Sequence, residues 1–179
     1  MQVDAEFLEA GSELKAISTM SVGYDHVDLN ILKQRGIRLG YTPRVLNEAV
    51  ADLTTLLLLG ATRQVPRATR IVREGQWGNT PWGPLAFCGP SLQGKTIGFL
   101  GFGSIAQTTA LQLLSFSPAK VIYTASGPRP FDINDKYFAD LKQGMWEEQV
   151  TLKAKMGKPK TQVENVDLDR LAKESDVVM

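Results

Sequence analysis

The stretch Lys95-Thr-Ile-Gly-Phe-Leu-Gly-Phe-Gly-Ser-Ile-Ala106 decides the fold. Thr96-Ile-Gly-Phe-Leu is an uninterrupted apolar run, the pattern of a strand covered on both faces of a parallel sheet. Gly101-Phe-Gly-Ser-Ile-Ala follows at once, and Ala106, Ala110, Leu113 and Leu114 then recur at helical spacing before Pro118. Lys120-Val-Ile-Tyr-Thr is a second apolar strand, so the span from Thr96 to Thr124 has the make-up and nearly the ~30-residue length of a strand–helix–strand unit. A short helix over Asp167 to Lys173 and a third buried-type strand, Asp176-Val-Val-Met, close the chain. The fold class is α/β, a partial Rossmann-type doubly wound parallel sheet.

Within the turn, Gly101-x-Gly103-x-x-Ala106 fits the dinucleotide fingerprint, and each position has a mechanical reason. Gly101 permits the tight turn, Gly103 lets the backbone approach a pyrophosphate, and the small Ala106 lets the helix pack on the sheet. Free N–H groups near Ser104 and Ile105 then face phosphate along the favourable end of the helix dipole. After the second strand, Tyr123-Thr-Ala-Ser-Gly-Pro-Arg-Pro offers no acid to a free ribose 2′-hydroxyl, whereas Ser126 and Arg129 can donate to a 2′-phosphate. NADP is therefore favoured over NAD, the competing reading of Arg129 being an ordinary exposed loop cation.

Working outward, Leu14-Lys-Ala-Ile-Ser reads as a strand emptying into the turn-rich Ser21-Val-Gly-Tyr-Asp-His-Val. Asp28 is placed to cap a short helix that stops at Gly36, and Ile37-Arg-Leu-Gly-Tyr is the next strand. Asn47 can cap a second helix with Glu48 in its first turn. From Ala49 to Ala61 that helix is apolar almost all round, so it is expected to be covered either by a large core or by another subunit. Pro66 and Gly75 bracket a third helix, and Gln76 to Pro90 is an aromatic, Pro-rich arm without a regular period. Asp132 to Asn165 is polar, its only apolar organisation being Tyr137, Phe138, Leu141, Met145 and Trp146 at helix-like spacing; its run of Lys153, Lys155, Lys158 and Lys160 reads as a solvated loop rather than a nucleic-acid patch, because no aromatics interleave the lysines.

Composition narrows the function classes. Twenty basic against nineteen acidic residues among 179 leave a net charge of +1, which gives no bulk electrostatic case for nucleic-acid or membrane-surface binding. One Cys and one His exclude a disulfide scaffold and a four-Cys or Cys/His zinc site within these residues. No run approaches the ~18–20 apolar residues of a membrane span, and the N-terminus lacks a secretory signal pattern, so a cytoplasmic setting is expected.

The glycine loop, together with Ser18-Thr-Met-Ser-Val-Gly-Tyr-Asp-His, Lys33-Gln-Arg-Gly-Ile-Arg-Leu-Gly-Tyr-Thr-Pro and Leu92-Gln-Gly-Lys-Thr-Ile-Gly-Phe-Leu-Gly-Phe-Gly, resembles the D-2-hydroxyacid dehydrogenases. Within them it is most similar to the glyoxylate/hydroxypyruvate reductases. The resemblance implies an oxidoreductase that transfers a hydride between NADPH or NADH and a small 2-keto acid. It places the amides of Val22 and Gly23 on the substrate carboxylate, in keeping with a Gly-containing turn acting as an anion nest. It places Gly101, Gly103, Ser104, Ile105, Ser126 and Arg129 against the cofactor. Residues 1–45 become a fragment of a flavodoxin-like substrate domain, and 46–179 the N-terminal part of the cofactor domain, with a dimer-forming helix and arm over 46–90.

Departures from the family pattern accompany the matches. Ser104 stands where relatives commonly carry Arg, Ala106 where they carry Gly, and Ser126 where the reductases often carry a phosphate-binding Arg. About Gln143 to Asn165 has little counterpart and reads as an insertion. The family's Arg, Glu and His have no match, and His26 falls outside that set, so no catalytic residue is assigned. Relative to the family the chain reads as truncated at both ends and catalytically incomplete. The Thr96–Leu100 strand is expected to keep one open edge for want of a fourth strand. The alternative function is a non-catalytic NAD(P)-binding or dimerisation module.

Overall fold

The computed structural model describes residues 2–179, which divide into two compact units, one ending at Leu46 and the other covering Asn47–Met179. In the first unit α1 (Ala5–Ala10) starts at Asp4, whose carboxylate accepts the Phe7 N–H. β1 (Ala16–Ser18) and β2 (Arg38–Gly40) pair in parallel, with Ala16 opposite Arg38, and α2 (Leu29–Arg35) makes the crossover. The Asp28 carboxylate accepts the N–H groups of Asn30 and Ile31, and the helix ends at Gly36, as its sequence requires. Val3, Leu8, Val27, Leu32 and Ile37 form the small core. The short helix α1 has no counterpart in the sequence reading; Leu8 is its sole buried residue, too little for a helical period to show.

The second unit opens with two helices, α3 (Asn47–Thr62) and α4 (Val65–Arg73), and continues into β3 (Thr96–Phe99), α5 (Ser104–Leu113) and β4 (Lys120–Tyr123). Next come a 3-10 segment over Lys136–Leu141, α6 (Gln143–Lys155) and β5 (Gln162–Asn165). The last elements are α7 (Leu168–Glu174) and β6 (Val177–Val178). The sheet runs β5-β4-β3-β6 with every pairing parallel. Alternation along β4 sorts the two faces. Val121 and Tyr123 join α5, the 3-10 segment and α6 in the main core, while Ile122 meets Val166 and Leu171 on the α7 side. The sheet is wound on both faces, and each fully buried Leu or Ile in it contributes about 1.5–3 kcal/mol.

The structure corrects three expectations. The Thr96–Leu100 strand has no open edge, because β6 pairs with it and occupies the place of the fourth strand. Asp176 secures that pairing, its N–H donating to the Thr96 carbonyl while its carboxylate accepts from the Thr96 N–H and, at 2.9 Å, from Lys95 Nζ. The Lys run is not a solvated loop throughout: Lys153 and Lys155 belong to α6, and Lys153 is buried. The apolar residues at helix-like spacing are buried at Phe138, Leu141 and Trp146, and the same segment supplies the edge strand β5. Residues 143–165 lie on the crossover that carries the chain from β4 into β5.

The third correction concerns α3, which Asn47 does not cap: its side-chain oxygen instead accepts the Ser104 hydroxyl at 3.3 Å. Within the chain this helix buries Ala51 and Leu58, while Leu53, Leu56 and Leu57 are 53%, 64% and 64% exposed. Among the described residues no helix is long and apolar enough to cross a membrane, and no His/Cys/Asp/Glu group could hold a metal ion.

Candidate functional site

Strand β3 delivers its last residues to a cleft at the carboxyl end of the sheet, where doubly wound folds place their ligands. The cleft, about 410 Å³, is lined by Gly101, Gly103, Ser104 and Ile105, with Leu100, Thr54 and Met179 among its other walls. Gly101 turns the chain at φ +91°, a conformation that L side chains resist. Its N–H donates to Thr124 Oγ1 at 3.0 Å, tying the turn to the end of β4. Gly103 is extended, at φ −71° and ψ −173°, and a Cβ there would meet nothing within 4 Å. The space above it is open to a ligand.

Among the described residues no side chain caps α5, so the amides of Ser104, Ile105 and Ala106 are left facing outward at its start. These orphan donors and the positive end of the dipole suit a pyrophosphate, and the open Gly103 backbone admits one. The residues present therefore fit a dinucleotide.

Aromatic packing holds the loop. Phe102, between the two glycines, is buried and stacks on Tyr123 with ring centroids 4.3 Å apart. Gln107 is 1% exposed and its amide nitrogen donates both to the Phe102 carbonyl and to the Tyr137 carbonyl, each at 2.9 Å. Burial raises the Tyr123 hydroxyl to about 12, with Tyr137 adding to the rise and Arg129 opposing it. The hydroxyl therefore stays protonated and donates to the Arg129 carbonyl at 2.6 Å. Asn165, at the end of β5, receives the Arg129 N–H at 2.9 Å and donates to the Tyr123 carbonyl at 3.0 Å.

Of the residues assigned to the cofactor from the sequence, Gly101, Gly103, Ser104 and Ile105 meet in the one cleft. Ser126 and Arg129 lie in the loop after β4, Ser126 exposed and Arg129 half-buried. Val22 and Gly23 sit in the first unit, in the turn after β1, where the Ser21 hydroxyl donates to the Gly23 carbonyl at 2.6 Å. Among the described residues neither the Val22 nor the Gly23 N–H donates to a backbone carbonyl, which leaves both amides available. Asp25 Oδ2 lies 3.3 Å from where a Gly23 Cβ would be, so the turn is tight and carries one negative charge. His26 is half-buried in the same loop, its carbonyl accepting the Val3 N–H.

Sequence reasoning missed Gln107, Thr124, Tyr137 and Asn165. Thr124 was within reach, as the hydroxyl that ends the second strand. Gln107 looks like any polar interruption of an apolar helix, and Tyr137 and Asn165 acquire a role only once β5 is known to lie beside β4.

Comparison with known proteins agrees with this geometry. The sequence profile of the D-isomer specific 2-hydroxyacid dehydrogenase catalytic domain matches residues 1–156. The glyoxylate reductase of Thermofilum pendens is 38% identical over 177 residues, 99% of this chain and 44% of that protein. The glyoxylate reductase/hydroxypyruvate reductase of Homo sapiens is 46% identical over 129 residues, 72% of this chain and 39% of that one. The chain thus spans less than half the length of these relatives. Among solved structures, the TT0316 protein from Thermus thermophilus superposes with a TM-score of 0.73 at 35% identity, covering 99% of this chain and 47% of that one. D-Lactate dehydrogenase from Aquifex aeolicus, complexed with NAD and lactic acid, superposes at 0.71 with 25% identity, over 99% and 44% of the two chains. An acyclic imino acid reductase in complex with NADPH and D-Arg also superposes at 0.71, with 26% identity over 99% and 47%. The glycine turn, the parallel sheet and these matches together establish that the chain belongs to the D-isomer specific 2-hydroxyacid dehydrogenase family.

Proposed function

We propose that the chain is part of an NAD(P)-dependent 2-hydroxyacid dehydrogenase of the glyoxylate/hydroxypyruvate reductase type, residues 1–45 contributing to a substrate domain and 46–179 to the cofactor domain. The observation that carries this reading is the uncapped start of α5 beneath the open Gly103 backbone. The amides of Ser104 and Ile105 take the pyrophosphate, the Gly101 turn aims them, and Ser126 and Arg129 take a ribose 2′-phosphate, which makes NADPH the preferred dinucleotide. When bound, the dinucleotide supplies the hydride that reduces a 2-keto acid. The amides of Val22 and Gly23 hold the substrate carboxylate, as a nest of backbone donors holds an anion.

The cleft residues include hydroxyls but no titratable side chain. A general acid or base typically contributes about 10²–10⁴-fold to such a reduction. The 179-residue chain is therefore expected to bind dinucleotide without measurable turnover of glyoxylate or hydroxypyruvate. Titration of the purified chain with NADPH and NADH, followed by nicotinamide fluorescence, tests the binding. Absence of saturable binding to either refutes the reading, and ketoacid-dependent oxidation of NADPH refutes the incompleteness.

A second reading has its own observation, the exposed row Leu53, Leu56 and Leu57 on α3. Apolar side chains in such a row favour burial against a second copy, and we propose a homodimer through this helix and the Trp77–Cys88 arm. A stable dimer in sedimentation that ignores both dinucleotides favours a non-catalytic dimerisation module. A monomer at micromolar concentration refutes the dimer.

A further inference from the structure

Arg129 is held at three points by this protein. Its N–H is bound by Asn165 Oδ1 and its carbonyl by the Tyr123 hydroxyl, so the backbone is fixed on both sides of the residue. Its guanidinium carbon Cζ lies over the Tyr137 ring, 3.9 Å from the centroid, a cation–π contact. Among the described residues no carboxylate forms an ion pair with Arg129. Three restraints on one arginine without a counter-charge make a positioned cation, and a guanidinium held over a ring still presents N–H groups for bidentate contact with phosphate.

The restraints also reach the glycine loop. Tyr137 is held through its carbonyl by Gln107, whose same amide nitrogen holds the Phe102 carbonyl between Gly101 and Gly103. Tyr123, which grips Arg129, stacks on Phe102. Two places that different phosphates of one dinucleotide would occupy are thus braced by a single buried frame. The 3-10 segment carrying Tyr137 and the edge strand carrying Asn165 complete that frame.

We infer that Tyr137 and Asn165 are positioning residues that hold Arg129 as the receptor for the 2′-phosphate of NADPH, and so set the preference of this chain between NADPH and NADH. The inference rests on the dinucleotide reading of the Gly101 cleft and adds to it the residues that fix selectivity. Arg129 makes the contact. Tyr137 acts through the cation–π contact and Asn165 through the loop backbone.

The test is the ratio of NADPH to NADH dissociation constants for the full 179-residue chain and its variants, with adenosine 2′,5′-bisphosphate and 5′-AMP as nicotinamide-free probes. Loss of a charged hydrogen-bond partner in Arg129→Ala should weaken NADPH about 10-fold or more and leave NADH within about 2-fold. Loss of the cation–π contact in Tyr137→Leu should weaken NADPH about two- to fivefold without touching NADH, and Tyr137→Phe, which keeps the ring, should restore the ratio. Asn165→Ala should move the ratio in the same direction. In the unaltered protein, raising salt should lower the preference for NADPH, as screening of one extra phosphate–guanidinium pair requires, a measurement that needs no variant to fold.

A chain that binds neither dinucleotide overturns the reading of the cleft, and this inference with it. A chain that binds both but favours NADH, or whose ratio is unmoved by Arg129→Ala, overturns the inference alone. So does a Tyr137→Leu variant that weakens NADPH and NADH equally, or a Tyr137→Phe variant that behaves like Tyr137→Leu.

Discussion

Replacing Gly101 and Gly103 by alanine separates folding from binding, because the two glycines serve different ends. At Gly101 the backbone has φ +91° and an added Cβ would touch nothing within 4 Å, so the whole cost of alanine is conformational, about 1–2 kcal/mol. At Gly103 the backbone is extended and the space is likewise empty, so alanine meets no clash. Restricting the unfolded chain adds about 0.4–1 kcal/mol, which the poorer fit of Ala than Gly at the N-cap of α5 offsets. The same methyl group stands over the amides that receive the pyrophosphate. Each charge-assisted hydrogen bond lost there is worth about 1.5–3 kcal/mol, or about 10- to 150-fold in Kd. Urea unfolding paired with NADPH titration gives both quantities on one preparation. Gly101→Ala should unfold at lower urea, whereas Gly103→Ala should unfold at nearly the same urea as the unaltered chain yet bind at least tenfold more weakly, a minimum set by one such bond. A Gly103→Ala protein with unaltered affinity would show that the pyrophosphate does not use this backbone, and the reasoning would fail.

Other perturbations test the frame around the site. Gly98→Ala places a Cβ 2.1 Å from Ser175 Oγ and 3.1 Å from Leu171 Cδ1, so it should cost about 1–3 kcal/mol of overpacking, largely recovered in Gly98→Ala/Ser175→Gly; unfolding curves of the pair decide it. The Thr96 N–H and then Lys95 hold the Asp176 carboxyl below its ordinary value. Its stabilising contribution is thus present above the unfolded-state pKa of about 3.9 and lost as pH falls through the lower native value. Asp176→Asn should be less stable than the unaltered chain at pH 7 by under about 1 kcal/mol, the group being well exposed, and the gap should close in acid melts. Burial, aided by Lys158, lowers the Lys153 amine below its ordinary value. Charging it therefore opposes folding below the native pKa, and the chain should gain stability as pH rises from that value toward about 10.4. Lys153→Met should match or exceed the unaltered chain in urea at pH 7 and show no such rise.

The parts of the fold legible in the sequence are those where local pattern and tertiary role coincide. Thr96–Phe99 and Lys120–Tyr123 are buried on both faces and read as unbroken apolar runs, and Asp28 and Gly36 bound their helix by side-chain and backbone chemistry confined to a few residues. β5 was illegible for the opposite reason. An edge strand needs one apolar contact, which Val163 supplies, while Glu164 is free to pair with Arg170 at 2.6 Å. Missing β5 left β3 seemingly open-edged and made Asp176–Met179 the third strand of the sheet, whereas it is the fourth and pairs with β3. In the candidate site the glycine loop was readable because its spacing is local. The brace on Arg129 was not, since Gln107, Tyr123, Tyr137 and Asn165 meet only through chain segments far apart in sequence.

The hydroxyl of Ser104 donates to Asn47, so the first residue of α5 is moored to the first residue of α3, the helix with the uncovered leucines. Any partner that grips those leucines and slides α3 along its axis would drag the phosphate-facing amides with it. Quaternary state and nucleotide affinity would then share one helix pair, fastened at its start by Ser104 and farther along by Gln112, which accepts from Thr55 and donates to Asp52.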